Sequence, residues 1–450
     1  MRYAGMETSG IFKHHKGLDV LSMALLLALI LCGAAKTAFT QDDQYQFDVE
    51  EYSKKTFSLG GYFEIRPSVS SLRRDSSFYR LQYYNRDKRL TAGEGYFGLL
   101  SDLTYQKGIF EAVLEPYIDF TASPLETEFS ASLFQGYVLL KPSVSLTLYA
   151  GKRTLRWGKG YAWTPTAFAE RHKNPNEPDL AREGYWMIAA DYTLSFKGSL
   201  KTISFSPVLI PVSRSINDDF SRDSGFNIAG RLYLLFLDTD IDLVVLMGKS
   251  QSLRYGLDFS RNLRTNWEIH GEIAYIKNME LTKTDESGRI TTETSDVTRY
   301  LLGLRYLSKS ETTTILEYYH NGSGFDALGM KAFHSFVDSA YGAYLNFGDE
   351  SLLQMANGLG TYSGFSPMRD YLFLRVSRKD PFNILYLTPA ANVIWNLADG
   401  SASLIPEVMY KGFTNIELRM RAALLMGGQM EEFGEKPARV RFELRARLYF

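Results

Sequence analysis

Side-chain alternation with a period of two is the feature that most constrains this chain. Between Arg439 and Phe450, charged or polar residues (Arg439, Arg441, Glu443, Arg445, Arg447, Tyr449) alternate strictly with apolar ones (Val440, Phe442, Leu444, Ala446, Leu448, Phe450). That period places the two sets on opposite faces of a β-strand. The pattern begins at Ser58-Leu-Gly-Gly-Tyr-Phe-Glu-Ile-Arg66 and recurs to the end of the chain. In Ser143–Gly151, Val144, Leu146, Leu148 and Ala150 oppose Ser145, Thr147 and Tyr149. In Thr298–Tyr306, Tyr300, Leu302, Leu304 and Tyr306 oppose Arg299 and Arg305, and in Asn415–Arg421, Ile416, Leu418 and Met420 oppose Glu417, Arg419 and Arg421.

Two faces of opposite character over so many strands suit a sheet with lipid on one side and water on the other. Mean hydropathy is −0.19, whereas aromatics reach 14 %, with 29 Tyr and 29 Phe. Helical spans need about 20 consecutive apolar residues, and none follows residue 40. A barrel hides its hydrophobicity in alternate positions and collects aromatics in interfacial girdles. About 18 segments have the length of roughly 9–11 residues that a tilted membrane strand requires. Short turns are expected near 106–108, 141–143, 197–199, 238–240, 309–310, 379–381 and 411–412. Longer loops are expected near 70–92, 157–183, 213–224, 280–296, 322–367 and 428–437. Short turns alternating with long loops are the layout of bacterial barrels, the turns periplasmic and the loops extracellular. The expected fold is therefore all-β, a transmembrane antiparallel barrel of about 18 strands. Pro116, Pro389 and Pro406 fall inside these segments and mark expected irregularities.

Residues 1–40 have the layout of a secretory signal peptide: a basic stretch at Lys13–Lys16, an apolar run from Val20 to Leu31, then small residues. Cleavage is expected between about residues 35 and 41. Residues 41–57 then form a short polar periplasmic segment and 58–450 the barrel. Cys32 is the sole cysteine. Removal with the signal leaves a mature chain without thiols; the alternative is a lipidated Cys32, for which Leu31 is a poor preceding residue. Net charge is −1, so no overall field favours nucleic acid.

The terminal amphipathic strand closing on Tyr449-Phe450 resembles the assembly signal of Gram-negative outer-membrane barrels. The resemblance implies an outer-membrane location, contact with lipid and lipopolysaccharide, and recognition by the barrel-assembly machinery.

If the apolar face meets lipid, the other face lines a lumen. Basic positions concentrate late in the chain: Arg299, Arg305, Arg375, Arg419, Arg421, Arg439, Arg441, Arg445 and Arg447. Acidic ones come earlier, with Glu111, Glu115 and Asp119 on one strand and Glu268 and Glu272 on another. Sequence neighbours are neighbours around a barrel, so an arginine wall facing carboxylates is one expectation, tuning ion selectivity. Pairing of opposite charges across a filled interior is the other. Barrels of 16–18 strands normally leave an aqueous channel.

The segment Gly151-Lys-Arg-Thr-Leu-Arg-Trp-Gly-Lys-Gly-Tyr-Ala-Trp-Thr-Pro165, continuing through Arg171-His-Lys-Asn-Pro-Asn-Glu-Pro178, stands apart in its glycine, proline, tryptophan and basic content. Gly151, Lys152, Trp157, Gly158, Asn174 and Pro175 resemble the strand end and following loop of alginate-export and substrate-specific porin-type barrels. The resemblance implies a diffusion channel whose inward-folded loop sets a constriction; it implies no cofactor. On this reading Arg153, Arg156, Lys159 and Arg171 present cations to a passing anion. Trp157 and Trp163 form either an apolar, sugar-stacking surface or part of the outer girdle. The glycine-rich stretch 322–367 is expected to be a surface loop rather than a second plug.

Enzymatic chemistry has little support: His172, His270, His320 and His334 lack metal-ligand spacing, and no HExxH or GxSxG element occurs. His270, between Glu268 and Glu272, is expected to be a hydrogen-bonded lumen histidine. The reading is a passive channel for small hydrophilic solutes, anionic ones included. A scaffold barrel housing a periplasmic or outer-membrane partner, such as an electron-transfer cytochrome or an export-complex subunit, is the alternative; an outer-membrane hydrolase is a minor one.

Overall fold

The computed structural model describes residues 56–221 and 223–450. The expected signal peptide, Cys32 and most of the expected polar segment 41–57 lie outside them. Each strand pairs antiparallel with its sequence neighbour, and the last, Ala438–Tyr449, pairs with the first. The first strand is interrupted at Arg66-Pro67, where proline supplies no ladder donor; its halves, Phe57–Ile65 and Ser68–Leu72, pair on both sides with the same two neighbours. Counted as one, they give a closed barrel of 18 strands.

The alternation decides which face is which. Glu443 and Arg445 point inward and are 7 % and 2 % exposed, whereas Phe442 and Leu444 point outward at 56 % and 55 %. Leu59, Ile188, Phe226 and Leu302 likewise stand out from the exterior. A sheet with no edge and an apolar exterior satisfies its backbone in hydrocarbon, which an open sheet cannot do. The apolar belt and the closed ladder therefore make this a transmembrane barrel.

Eight connections lie at one end (108–109, 144–145, 196–199, 237–238, 265–266, 308–311, 379–386 and 414–415). Nine lie at the other (73–90, 123–126, 154–184, 213–224, 249–253, 285–289, 322–369, 397–401 and 427–437). Several expected boundaries move. Residues 280–296 are not a loop: strands Trp267–Thr284 and Ile290–Leu307 extend as a hairpin, whose threonine-rich alternation carries no apolar face to betray it. Lys411-Gly412 lies within strand Ala402–Phe413, and the turn sits at Thr414-Asn415, where Asn415 takes a φ of 58°. Pro116 stands at a register shift, and Pro389 lies just beyond the ladder with Asp370–Arg378.

Stretch 322–367 is also more than a surface loop. It contains helix α2 (Ala327–Phe347) and helix α3 (Ser351–Asn357), packed with helix α1 (Ser77–Tyr83) from another connection. The Asp326 carboxylate caps α2 by accepting from the Gly329 N–H at 2.8 Å, and Gly348, at φ 70°, ends it. Met330, Phe333, Val337 and Ala340, spaced three and four apart, form the stripe of an amphipathic helix and are buried with Phe78 and Tyr362. Abundant glycine hid that periodicity.

Candidate functional site: a segment folded into the barrel

Between strands Leu146–Arg153 and Tyr185–Ser195 the chain leaves the wall and folds into the lumen. Inward carboxylates on distant strands hold this segment, residues 154–184. Oε1 of Glu272 accepts the backbone N–H groups of Lys159 and Gly160 at 2.6 and 2.7 Å. Its Oε2 accepts the N–H and hydroxyl of Thr166 at 3.0 and 2.8 Å. Glu317 accepts from the next two amides, Tyr161 and Ala162, the latter at 2.8 Å. Four successive backbone donors thus meet two buried carboxylates, charge-assisted bonds about twice as strong as neutral ones. The segment folds back on itself here tightly enough to require glycine: a Cβ on Gly160 would lie 2.0 Å from the Trp163 carbonyl oxygen.

Side chains extend the attachment. Lys159 Nζ lies 2.8 Å from Asp242 and 3.8 Å from Asp258, and the Thr166 hydroxyl donates to Asp258 at 3.0 Å. Trp163 stacks on Tyr319 at 5.0 Å between centroids and donates from Nε1 to Ser366 at 2.9 Å, joining the segment to the helical cap. At its far end Glu177 sits among Arg421, Arg445 (2.6 Å) and Arg66 (3.8 Å). Burial alone would raise the Glu177 carboxyl; Arg421, Arg445 and Arg66 together outweigh it and hold the group below its ordinary value. Within the segment, burial pushes Glu170 up to about 7 against the pull of Arg182 and the Trp157 N–H. The segment therefore leaves the wall between its fifth and sixth strands, touches the ninth to thirteenth, and reaches the seam of the last two with the first. It crosses the lumen.

The residues singled out from sequence take these places. Lys159 and Trp163 are anchors as described, and Trp157 is buried among Leu155, Phe168, Met187 and Ile210. Neither tryptophan stands in the outer girdle: both lie inside the barrel, 5 % and 6 % exposed. Arg153 lies over the rings of Tyr149 and Tyr137 at 4.3 and 5.0 Å, Arg156 is exposed, and Arg171 pairs with Asp219 and with Glu183 (3.2 Å). Glu115 accepts from Gln135 at 2.8 Å, and Glu111 faces Lys141 at 3.2 Å. His270 is hydrogen-bonded to Glu317 at 2.9 Å.

The late arginines are interleaved with glutamates, of which the sequence reading passed over Glu94 and Glu407. Arg375 donates to Glu407 (2.9 Å) and Asn392 (2.7 Å), Arg441 to Glu94 (2.8 Å), Arg445 also to Glu443 (3.2 Å), and Arg447 to Glu64. Arg419 lies 3.7 Å from Glu417, and Arg305 lies 3.9 Å from Glu268. The arginine wall is a lattice of ion pairs. Glu177, Glu317, Asp242 and Asp258 were also missed. For Glu317 a signal existed: it is the one carboxylate between inward-facing Ile315 and Tyr319.

Above the segment, on the loop side, a cavity of about 540 Å³ is lined by Trp163, Phe168, His172, Arg254, Arg299 and Tyr319, among others. Arg254 donates to Gln251 and Arg299 to Ser323 at 2.8 Å, while the buried Nε of each has no partner.

No family model and no curated protein matches this chain. Among solved structures it is similar to OccAB1 of Acinetobacter baumannii, with a TM-score of 0.53 and 10 % identity over 88 % of this chain and 97 % of that one. It is also similar to Wzi of Escherichia coli, described as a carbohydrate-binding β-barrel outer-membrane protein involved in group 1 capsule assembly, with a TM-score of 0.51 and 10 % identity over 86 % and 84 % of the two chains. The likeness is one of fold: a Gram-negative outer-membrane porin-like β-barrel.

Proposed function

We propose that this chain is an outer-membrane channel of the porin type, through which small hydrophilic solutes diffuse passively. Segment 154–184 sets the size and charge of its constriction. The observation that carries the reading is the segment's attachment to both arcs of the wall, at Glu272 and Glu317 on one side and through Glu177 at Arg421 and Arg445 on the other. A segment so held narrows a wide barrel: its apolar side chains, Trp157 and Phe168 among them, pack on the inner wall at Met187, Val208 and Ile210, and its polar groups bind the carboxylates and arginines named above. Polar lining and local charge are what filter solutes in such pores. The same crossing takes up the space that a protein partner inside the barrel would need, which favours the channel over the scaffold alternative. Among the described residues the buried carboxylates named above are engaged as acceptors for the segment, and no catalytic role is proposed for them.

The preference for anionic solutes rests less on the late arginines, which are paired, than on the loop-side cavity with Arg254 and Arg299. Planar-bilayer recording of the refolded, signal-free protein under a salt gradient tests the channel reading. Steady single-channel steps are expected, with an enlarged conductance when residues 158–170 are replaced by a short glycine–serine linker. A correctly folded barrel that conducts neither with nor without the segment would transfer the reading to the scaffold alternative.

A further inference from the structure

The loop-side cavity holds more positive charge than its surroundings account for. Arg254 and Arg299 both face inward. They flank the same strand, Arg254 paired with Ile276 and Arg299 with Ala274. Two strand spacings and a two-residue offset along the strand separate their backbones by about 12 Å. Neither guanidinium meets a carboxylate among the described residues; their partners are Gln251, Ser323 and, at 3.8 Å, the Met279 sulfur. Elsewhere in this lumen arginines are matched by glutamates, as at Arg375–Glu407 and Arg441–Glu94. The cavity's own acids are otherwise occupied: Glu170 by Arg182 at 2.8 Å and Asp219 by Arg171. Glu280 also lines the cavity, exposed on strand Trp267–Thr284, and among the described residues forms no ion pair with either arginine. His172, exposed at the cavity wall, adds an imidazole that feels the charge of both arginines and of Arg182.

Two desolvated guanidiniums of like charge, each with an unused N–H, carry a cost that an anion would offset. A singly charged group satisfies one of them. A doubly charged oxyanion has the oxygens and the charge for both, and guanidinium forks suit tetrahedral oxyanions. The volume, within the range of small-molecule sites, leaves room beside the two arginines for a compact polar body against Trp163, Phe168 and Tyr319. We propose that this cavity is a binding site for a phosphate monoester of a small hydrophilic solute, taken from the loop side before passage, with inorganic sulfate as the dianion that probes it. The proposal rests on the channel reading for its place in transport, but not for the binding itself.

The test is calorimetric titration of the folded, detergent-solubilised barrel with inorganic sulfate at constant ionic strength, with acetate as the singly charged control. Saturable sulfate binding is expected, weakened by about tenfold or more in Arg254→Gln and Arg299→Gln and partly retained in the lysine variants, which keep charge but lose the fork. Acetate should bind weakly or not at all. Heat-modifiable gel mobility reports whether each variant is folded, and the wild-type comparison of sulfate with acetate stands even if a variant is not. Absence of saturable sulfate binding to the wild type, or binding that both glutamine variants leave intact, overturns the site. A conducting barrel that ignores sulfate defeats this inference alone, whereas a silent barrel that binds sulfate defeats the channel reading alone.

Discussion

Lys159 Nζ lies 2.8 Å from a carboxylate oxygen of Asp242, joining the inward segment to a wall strand distant in sequence. Asp242 is fully buried, as is Asp258 beside it. Arg231, 3.7 Å from Asp242, is the other cation in reach. Removing one partner of a buried pair costs about 3–5 kcal/mol, because the remaining charge is left uncompensated. Lys159→Met should therefore detach the Trp157–Thr166 stretch without opening the barrel ladder. The expected outcome is a larger, noisier single-channel conductance at unchanged heat-modifiable mobility, with partial recovery in a Lys159→Met, Asp242→Asn double variant.

Acid should release the other end of the segment. Glu177 is held below its ordinary value of 4.5 by its three arginines, burial notwithstanding. A carboxyl depressed in the folded state contributes stability that is complete above its unfolded value and lost as pH falls through the folded one. The segment's far end should stay docked at neutral pH and loosen well below pH 4.5. Conductance recorded against pH should rise in that acidic window. Glu177→Gln should raise it already at pH 7 and flatten the dependence there.

The wall was legible because one period of two governs every strand, so lipid face, lumen face and strand number followed from the sequence. Boundaries failed where the periodicity lacked contrast: the 280–296 hairpin alternates polar with polar, and Lys411-Gly412 looks like a turn although pairing continues to Phe413. The inward segment was legible in outline, since the Gly151–Pro165 motif marks the departure from the wall. Its anchors were not. Asp242, Asp258, Glu272 and Glu317 act together through barrel closure, which brings four strands against one loop, and a linear reading has no register between them. The arginine-rich end misled for the same reason: Arg441 finds Glu94, and Arg447 finds Glu64, only after the last strand meets the first.

Trp163 links the constriction to the cap. It is 6 % exposed and contacts Tyr319, Tyr371 and Ser366. Truncating such a side chain costs about 3–5 kcal/mol. The loss is expected to be local, because no barrel-ladder hydrogen bond depends on the ring. Trp163→Ala should make residues 322–369 susceptible to limited proteolysis while the strands remain protected. Trp163→Phe, which keeps stacking but not the indole donor, should lie between. Equal protection of 322–369 in all three proteins would show that the cap is held independently of the constriction.

The proposed oxyanion site has a proton built into it at His172. The enclosed lumen around it desolvates this imidazole, although the ring is exposed to the cavity, and lowers it to about 4 from 6.5, with Arg299 and Arg254 from the wall and Arg182 from its own segment adding to the effect. Glu170, on the same turn, is matched to Arg182. In the free cavity His172 is therefore neutral at physiological pH. A bound dianion opposes those three cations and raises the imidazole, so binding draws in a proton. Affinity for sulfate should then increase as pH falls from neutrality towards about 4, by at most tenfold per pH unit for one linked proton. Below that the dependence should level off. Sulfate keeps its double charge throughout this interval, so the slope belongs to the protein. His172→Gln should retain binding at pH 7 and lose most of the slope. A slope that persists in His172→Gln would assign the proton to another group, with Glu170 the first to test by Glu170→Gln.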